Sequence, residues 1–261
     1  MKPIITLTTD LGYGDYYLSM IKAKIYSQGT DFQIIDISHE IDKFNLAEAT
    51  FVLKSVMPNF PKGTIHIIGV SPGAVDEGRH LVFSYLNQFI ITADNGFFSL
   101  IADHHPDMVV ELNIKLDTDE VNFPTRDLYA PAAALLARGV TLEVIGNQIT
   151  DYQRRAMLQP VIGDGYIKGA VTYIDNYGNA ICNISKELFV KIGKGRGFII
   201  GFVQRGYDMN IIDNRYSDAS EGDRLALFNS AGLLEISINH GNASNLLGLE
   251  KGETIIISFD D

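Results

Sequence analysis

The sequence changes texture once, between about residues 149 and 162, and that change constrains the chain to two differently built parts. Before it, β-rich runs alternate with amphipathic stretches: IITLTT (4–9), residues 15–28, FQIIDI (32–37), residues 46–57, TIHIIGV (64–70) and FIITA (89–93). This rhythm predicts an α/β domain, with helices laid on a central, mostly parallel sheet. After it come short β-branched or aromatic runs, GYIKGAVTYID, GFIIGFV, LLEISI and TIIISF, parted by glycine-bearing turns. That pattern predicts a smaller all-β, barrel-like domain. The intervening ITDYQRRAMLQPVI mixes charges, holds a proline and has no clean period, so it reads as a linker. The expected organisation is an α/β domain over 1–148, a linker over 149–162 and the barrel-like domain over 163–261.

Within the first part, Leu46, Ala49, Phe51, Val52, Leu53 and Val56 share one broad helical face, and Pro58 ends the run. Segment 127–138, DLYAPAAALLAR, is alanine-rich with Gly139 just beyond it, which predicts a closely packed helix ending at a glycine. With 46% hydrophobic and 20% charged residues over 261 positions, there is ample material for a globular core.

The net charge of −11 opposes a polyphosphate partner, and no basic cluster offsets it, so nucleic acid is not expected. The opening MKPIITLTTD meets an acid at Asp10, too soon for a signal-peptide core or a membrane span. The single cysteine, Cys182, excludes an intramolecular disulfide and every multi-cysteine metal motif, and fits a reducing, cytoplasmic setting. Histidines 39, 66, 80, 104, 105 and 240 show neither HxH nor HExxH spacing, so no catalytic metal is expected. No GxSxG elbow is present either, which leaves acyl transfer unsupported.

Five clusters stand out as candidates for chemistry. TTDLGYGD, residues 8–15, follows an apolar strand, and its acids Asp10 and Asp15 would face one crevice; equally, Asp15 would serve as the N-cap of the next helix. The acids and the missing lysine exclude a phosphate loop. Asp94-Asn95-Gly96 follows FIITA and also fits an ordinary turn, as does Asp175-Asn176-Tyr177-Gly178-Asn179. Arg126-Asp127 precedes the alanine-rich helix as a cap and its ion-pair partner. Asn229, Ser230, Glu235, Asn239 and Asn242 punctuate a strand whose polar positions also suit the wet face of a sheet.

Taken in order, TLTTDLGYGDYY, IIDISHEI, PKGTIHIIGVSPG, TADNGFFS, FPTRDLYAPAAALLARG, TYIDNYGNAICNI and NSAGLLEIS resemble the S-adenosylmethionine hydroxide adenosyltransferase family, which includes related fluorinases and chlorinases. The resemblance runs the length of the chain. It implies an α/β domain, a β-barrel-like domain and a homotrimer with sites between one subunit's first domain and its neighbour's second. The implied reaction is attack by water or halide on the 5′ carbon of S-adenosylmethionine, with no cofactor and no metal. By motif position, Asp10 matches the ribose-binding aspartate, Asp15 and Asp175 the acids facing the substrate's amino group, Asn179 an adenine-reading asparagine and Ser230 a contact to the methionine carboxylate. Phe44 matches an aromatic wall, and Asp94, Asn95, Tyr177 and Glu235 are carried with their motifs as substrate-side residues.

The nucleophile side departs from the family. Hydroxide-forming members orient water with an Asp, an Arg and a His; here Ser71 and Pro124 replace the acid and the histidine, and Arg79 remains. Thr125 matches a halide-contacting serine, whereas Ala74 lacks the hydroxyl of the fluorinases and Ala231 replaces their arginine clamp. The loop SPGAVDEGRH offers Asp76 or His80 as a relocated water-activating group, and a solvated charged turn is the alternative. Ser71, Asp76, Arg79 and Thr125 are therefore the candidate catalytic residues. Hydrolysis to adenosine and methionine is the leading expectation, with a chloride-using halogenase and a silent nucleoside-binding protein as alternatives.

Overall fold

In the computed structural model the described residues are 2–73, 78–114, 122–202 and 206–260. They divide into two compact units, Met1–Met157 and Leu158–Asp261.

The first unit alternates as its pattern predicts: β1 (Ile4–Thr9), α1 (Tyr17–Ser27), β2 (Gln33–Ser38), α2 (Leu46–Val56), β3 (Ile65–Gly69), β4 (His80–Tyr85), β5 (Gln88–Ala93), α3 (Phe97–Ile101), β6 (Met108–Leu112), α4 (Ala130–Ala137), α5 (Leu142–Ile145) and β7 (Gly146–Gln148). Its sheet runs β2-β1-β3-β5-β4-β6-β7. The β2-β1-β3-β5 half is parallel, and antiparallel pairings carry β4, β6 and β7, so the sheet is mixed. Alternate side chains feed two cores. Ile5, Leu7, Ile67, Val82 and Ile91 pack with Ile21 and Ile25 of α1 and the alanines of α4; Ile68, Leu81, Phe83 and Ile90 pack with Ala49 and Leu53 of α2 and Phe97 and Phe98 of α3.

Two helix expectations are corrected in detail. The N-cap of α1 is Tyr16, with no side-chain cap bond, so Asp15 does not cap it. The segment predicted as one helix from 127 opens with a π-helical turn, Thr125–Tyr129, before α4. Asp127 is not a cap there; its carboxylate receives both the Nε and an Nη of Arg126, at 2.5 and 2.9 Å.

The second unit holds β8 (Val161–Gly163), β9 (Tyr166–Ile174), β10 (Ala180–Ser185), α6 (Lys186–Gly193), β11 (Phe198–Phe202), β12 (Arg224–Phe228), β13 (Leu233–Ile238), α7 (Ala243–Leu247) and β14 (Thr254–Phe259). The pairings between these strands are antiparallel, in the order β11-β14-β9-β10-β13-β12 with β8 beside β9. Met209 bridges to Ile200 of β11, and Asp213 bridges to Leu227 of β12, so one segment ties the two edge strands together. The all-β expectation needs amending for α6 and α7. Ser185 caps α6 through the Leu188 amide, Asn242 caps α7 through the Asn245 amide, and Leu188 and Leu247 bury apolar surface in the barrel core.

Candidate active site

In the first unit the strand order reverses around β1: β2 lies on one side and β3 on the other. At such a reversal the loops leaving the strand carboxyl ends diverge and open a crevice. Thr9 and Gly69 are register partners at that edge. Thr125, at the start of the π turn, packs so closely on Gly69 that a Cβ there would lie 2.8 and 2.9 Å from its side-chain atoms and 3.2 Å from Thr9 Cγ2. Only glycine admits the turn at this distance. The Thr125 hydroxyl is fully buried and has no partner among the described residues, a state that calls for a ligand atom or water.

Asp10 follows β1 directly, and its Oδ2 accepts the Phe44 amide at 2.9 Å. Its Oδ1 has no partner among the described residues and is free to accept from a ligand. Phe44 adopts a left-handed conformation, φ 65°, and its ring is 73% exposed. Asp15 is exposed beside the exposed rings of Tyr13 and Tyr16. The loop after β1 thus presents carboxylates and aromatic surface together, a combination suited to a cationic ligand.

Ser71, after β3, is left-handed at φ 49°, and its carbonyl and that of Val70 lie 3.4 Å from Asn95 Nδ2. Asn95 is buried and also accepts the Phe97 amide, so it braces this loop from within the protein. Arg79 is likewise engaged: its Nε and Nη2 donate to Asp94 Oδ2 at 3.1 and 2.5 Å, and its Nη1 donates to Asp151 Oδ2 at 3.0 Å. Those hydrogen bonds hold the guanidinium charge firmly, raising its pKa. The other oxygen of Asp94 accepts the Gln153 amide at 2.7 Å. Arg79, Asp94 and Asn95 form the scaffold behind the loops. His80 Nδ1 lies 2.7 Å from the fully buried Tyr129 hydroxyl, and burial lowers the imidazole pKa. Asp76 and Ala74 lie outside the described residues. Pro124 is buried immediately before the π turn.

In the second unit the Asp175–Asn179 turn is self-contained. Asp175 Oδ1 accepts the amides of Tyr177 and Asn179, and its Oδ2 accepts Asn179 Nδ2, all at 2.9 Å. Its carboxylate therefore shapes the turn, leaving Tyr177 as the exposed face, at 75%. Gly178 has φ 81° and sits against the Asn242 side chain, where any Cβ would collide. Ser230 is exposed at the tip of a turn whose base Asn229 pins through the Ala231 and Leu233 amides. Glu235 is buried and satisfied: it accepts the Tyr216 hydroxyl at 2.6 Å, the Ser237 hydroxyl at 2.8 Å and Asn229 Nδ2 at 3.2 Å. Burial next to Glu235 raises the pKa of both Tyr216 and Cys182. Glu235 acts through Asn229 on the Ser230 turn.

Sequence reasoning missed His39, Asp151 and Tyr216, and it named Asn229 without its bracing role; these four hold the predicted residues in place. Among the described residues no group of three or more His, Cys, Asp or Glu is arranged to hold a metal.

The chain matches the family model for the SAM hydroxide adenosyltransferase N-terminal domain over residues 5–146 and that for the C-terminal domain over residues 169–256. It is 29% identical to the (R)-S-adenosyl-L-methionine hydrolase of Thermus thermophilus, covering 97% of this chain and 98% of that protein. It is 28% identical to the protein of that name from Methanocaldococcus jannaschii, over 98% and 96%, and 22% identical to the fluorinase of Actinopolyspora mzabensis, over 98% and 97%. An uncharacterised conserved protein of Thermotoga maritima superposes with a TM-score of 0.88 at 29% identity, over 98% and 99% of the two chains.

Proposed function

The chain belongs to the SAM hydroxide adenosyltransferase family, and from that premise we propose that it hydrolyses S-adenosylmethionine to adenosine and L-methionine. Water attacks the ribose 5′ carbon in line with the sulfonium, the C–O bond forms as the C–S bond breaks, methionine leaves as a neutral sulfide, and the extra proton on the new hydroxyl passes to solvent. Such a leaving group needs no protonation, so the protein's task is to align oxygen, carbon and sulfur and to keep other water out. The reaction requires no cofactor.

The observation that carries the reading is the pairing of Asp10, with one carboxylate oxygen tied and one open, with the orphaned Thr125 hydroxyl at the same strand edge. Asp10 accepts the ribose hydroxyls, and Thr125 gives or takes a hydrogen bond at the attacking water. Ser71 borders the same loop. The exposed acid Asp15 and ring of Phe44 offer surface to the charged end of the substrate. In the second unit, Asn179, Tyr177 and Ser230 bear on adenine and the methionine carboxylate, with Asp175 and Glu235 holding their turns. With Arg79 tied to two acids, water activation falls to alignment and desolvation more than to a base. In keeping with the family, the working assembly is a homotrimer whose subunits share sites, in the cytoplasm, where a lone thiol stays reduced.

Incubation of the protein with S-adenosylmethionine, with and without chloride, followed by chromatography, tests this. Adenosine and methionine in both samples are expected. Chlorodeoxyadenosine formed only with chloride would make it a halogenase, and tight adenosine binding without product would make it a silent binding protein. Asp10→Ala is expected to lower kcat/KM by roughly 5- to 150-fold, since an unmet hydrogen bond of this type costs about 1–3 kcal/mol.

A further inference from the structure

The loop carrying Asp10 is held by one buried histidine. Between β1 and β2 the register slips once: Leu7 pairs with Asp36, but Thr8 pairs with Ser38. In a regular strand, residues 36 and 39 would point to opposite faces; the extra residue brings them to the same one. As a result His39 Nε2 lies 3.2 Å from Asp36 Oδ1, off the line of a well-aligned hydrogen bond, while Lys22 of α1 holds the other oxygen of Asp36 at 2.5 Å. With a carboxylate on that side, the ring proton belongs on Nε2, and Nδ1 accepts from the Thr9 hydroxyl at 2.8 Å. The same histidine's backbone carbonyl accepts the Gly12 amide at 2.7 Å.

Asp10 therefore stands between two anchors on one residue: its predecessor, Thr9, bonds the His39 ring, and Gly12, two residues on, bonds the His39 backbone. Thr9 Oγ1 adds a long contact of 3.4 Å from the Leu11 amide. His39 has no exposed surface, and the edge of Tyr13 closes over it, with ring centroids 5.1 Å apart. Such an imidazole does not itself meet a ligand. Its effect is on where the Asp10 carboxylate sits, and a carboxylate that receives two adjacent hydroxyls must sit within about 0.5 Å of its proper place.

We propose that His39, acting through Thr9, is the positioning residue that fixes Asp10 and thereby sets the preference of this site for a ribose over a 2′-deoxyribose. The proposal rests on the ribose-binding role given to Asp10 above.

Calorimetric binding of adenosine and of 2′-deoxyadenosine to the full-length protein tests it, because loss of one hydroxyl reports directly on the Asp10 contact. Wild-type protein is expected to bind adenosine at least tenfold more tightly. Thr9→Val keeps nearly the same bulk and removes only the tether, and His39→Asn removes the ring; each is expected to reduce the ratio to threefold or less. In an Asp10→Ala background, Thr9→Val is expected to leave the ratio unaltered, since the group it acts on is gone. A purely structural role for His39 would weaken both nucleosides alike. An unchanged ratio in Thr9→Val, with Asp10→Ala losing it, would overturn the positioning role alone. An unchanged ratio in Asp10→Ala would overturn the ribose role of Asp10 and this proposal with it. If His39→Asn fails to fold, Thr9→Val decides the matter.

Discussion

The buried histidine of β3 is fixed by identifiable partners on β1 and β5. His66 has no exposed surface; its Nδ1 lies 2.7 Å from Thr6 Oγ1 and its Nε2 2.7 Å from Gln88 Oε1, while the Gln88 amide nitrogen donates to the Met57 and Phe60 carbonyls. This assigns the ring proton to Nε2, and burial lowers the pKa to about 4. The unfolded chain, with a histidine near its ordinary 6.5, binds more protons than the folded one between those values. Stability is therefore full above about pH 6.5 and falls as pH drops toward 4, by up to roughly 3 kcal/mol. Burial lowers His39 and His80 as well, so they add to the same trend. Urea midpoints at several pH values check this: His66→Gln should flatten the slope, and equal slopes in both proteins would refute the assignment. Arg79 gives a second expectation, because its partner Asp94 is almost fully buried. Removing the guanidinium leaves a buried unpaired charge, so Arg79→Ala should lower stability by about 3–5 kcal/mol. If the melting temperature holds while turnover falls, Arg79 is chemical and not scaffold. None of this network could be read from sequence, since Arg79 meets Asp151 across 72 positions and Thr9 meets His39 across 30. Asp10 and Thr125 could be singled out as candidates because short motifs carry them.

Elements whose signals are local were the readable ones. The strand runs at 4–9, 32–37, 64–70 and 89–93 and the α2 face all appear within a residue or two of their expected limits. The strand β4, which pairs with the readable β5, shows why others escape notice. Their connection is Leu86-Asn87, both with positive φ, at 52° and 59°, the conformation of a type I′ turn. Asn-Gly or Asp-Gly would have signalled a hairpin there; a leucine does not. The helices α6 and α7 escaped for a related reason, being eight and five residues long inside a β-rich stretch. Leucine in the left-handed region costs about 1–2 kcal/mol against glycine or asparagine, and Leu86 is 55% exposed, so little packing opposes a change. Leu86→Asn should therefore stabilise the protein by roughly 0.5–1 kcal/mol. Thermal unfolding of that single variant checks it, and a lower melting temperature would mean that the leucine packs in a way that outweighs its backbone strain.

At the scale of the whole chain, the two textures of the sequence correspond to separate hydrophobic cores, and this carries the last expectation. The core of the second unit is drawn wholly from residues beyond 158, among them Ile167, Val171, Cys182, Ile184, Ile200, Leu234, Ile236, Ile255 and Ile257. Among the described residues, a single bridge on each edge strand, Met209 to β11 and Asp213 to β12, ties both to one connecting segment. An antiparallel sheet with a filled interior satisfies most of its own backbone, and the bridged edges are partly covered. Its buried acid is also internally compensated, Glu235 being bonded to Tyr216, Ser237 and Asn229, all within the unit. Residues 158–261 produced alone should thus fold, with one cooperative urea transition seen alike by far-ultraviolet circular dichroism and tyrosine fluorescence. Non-coincident transitions would show that the barrel depends on the α/β unit for its packing. Tyr216→Phe in that fragment provides the internal control. It removes a part-buried hydrogen bond to a carboxylate, worth about 1.5 kcal/mol, and should lower the midpoint without broadening the transition.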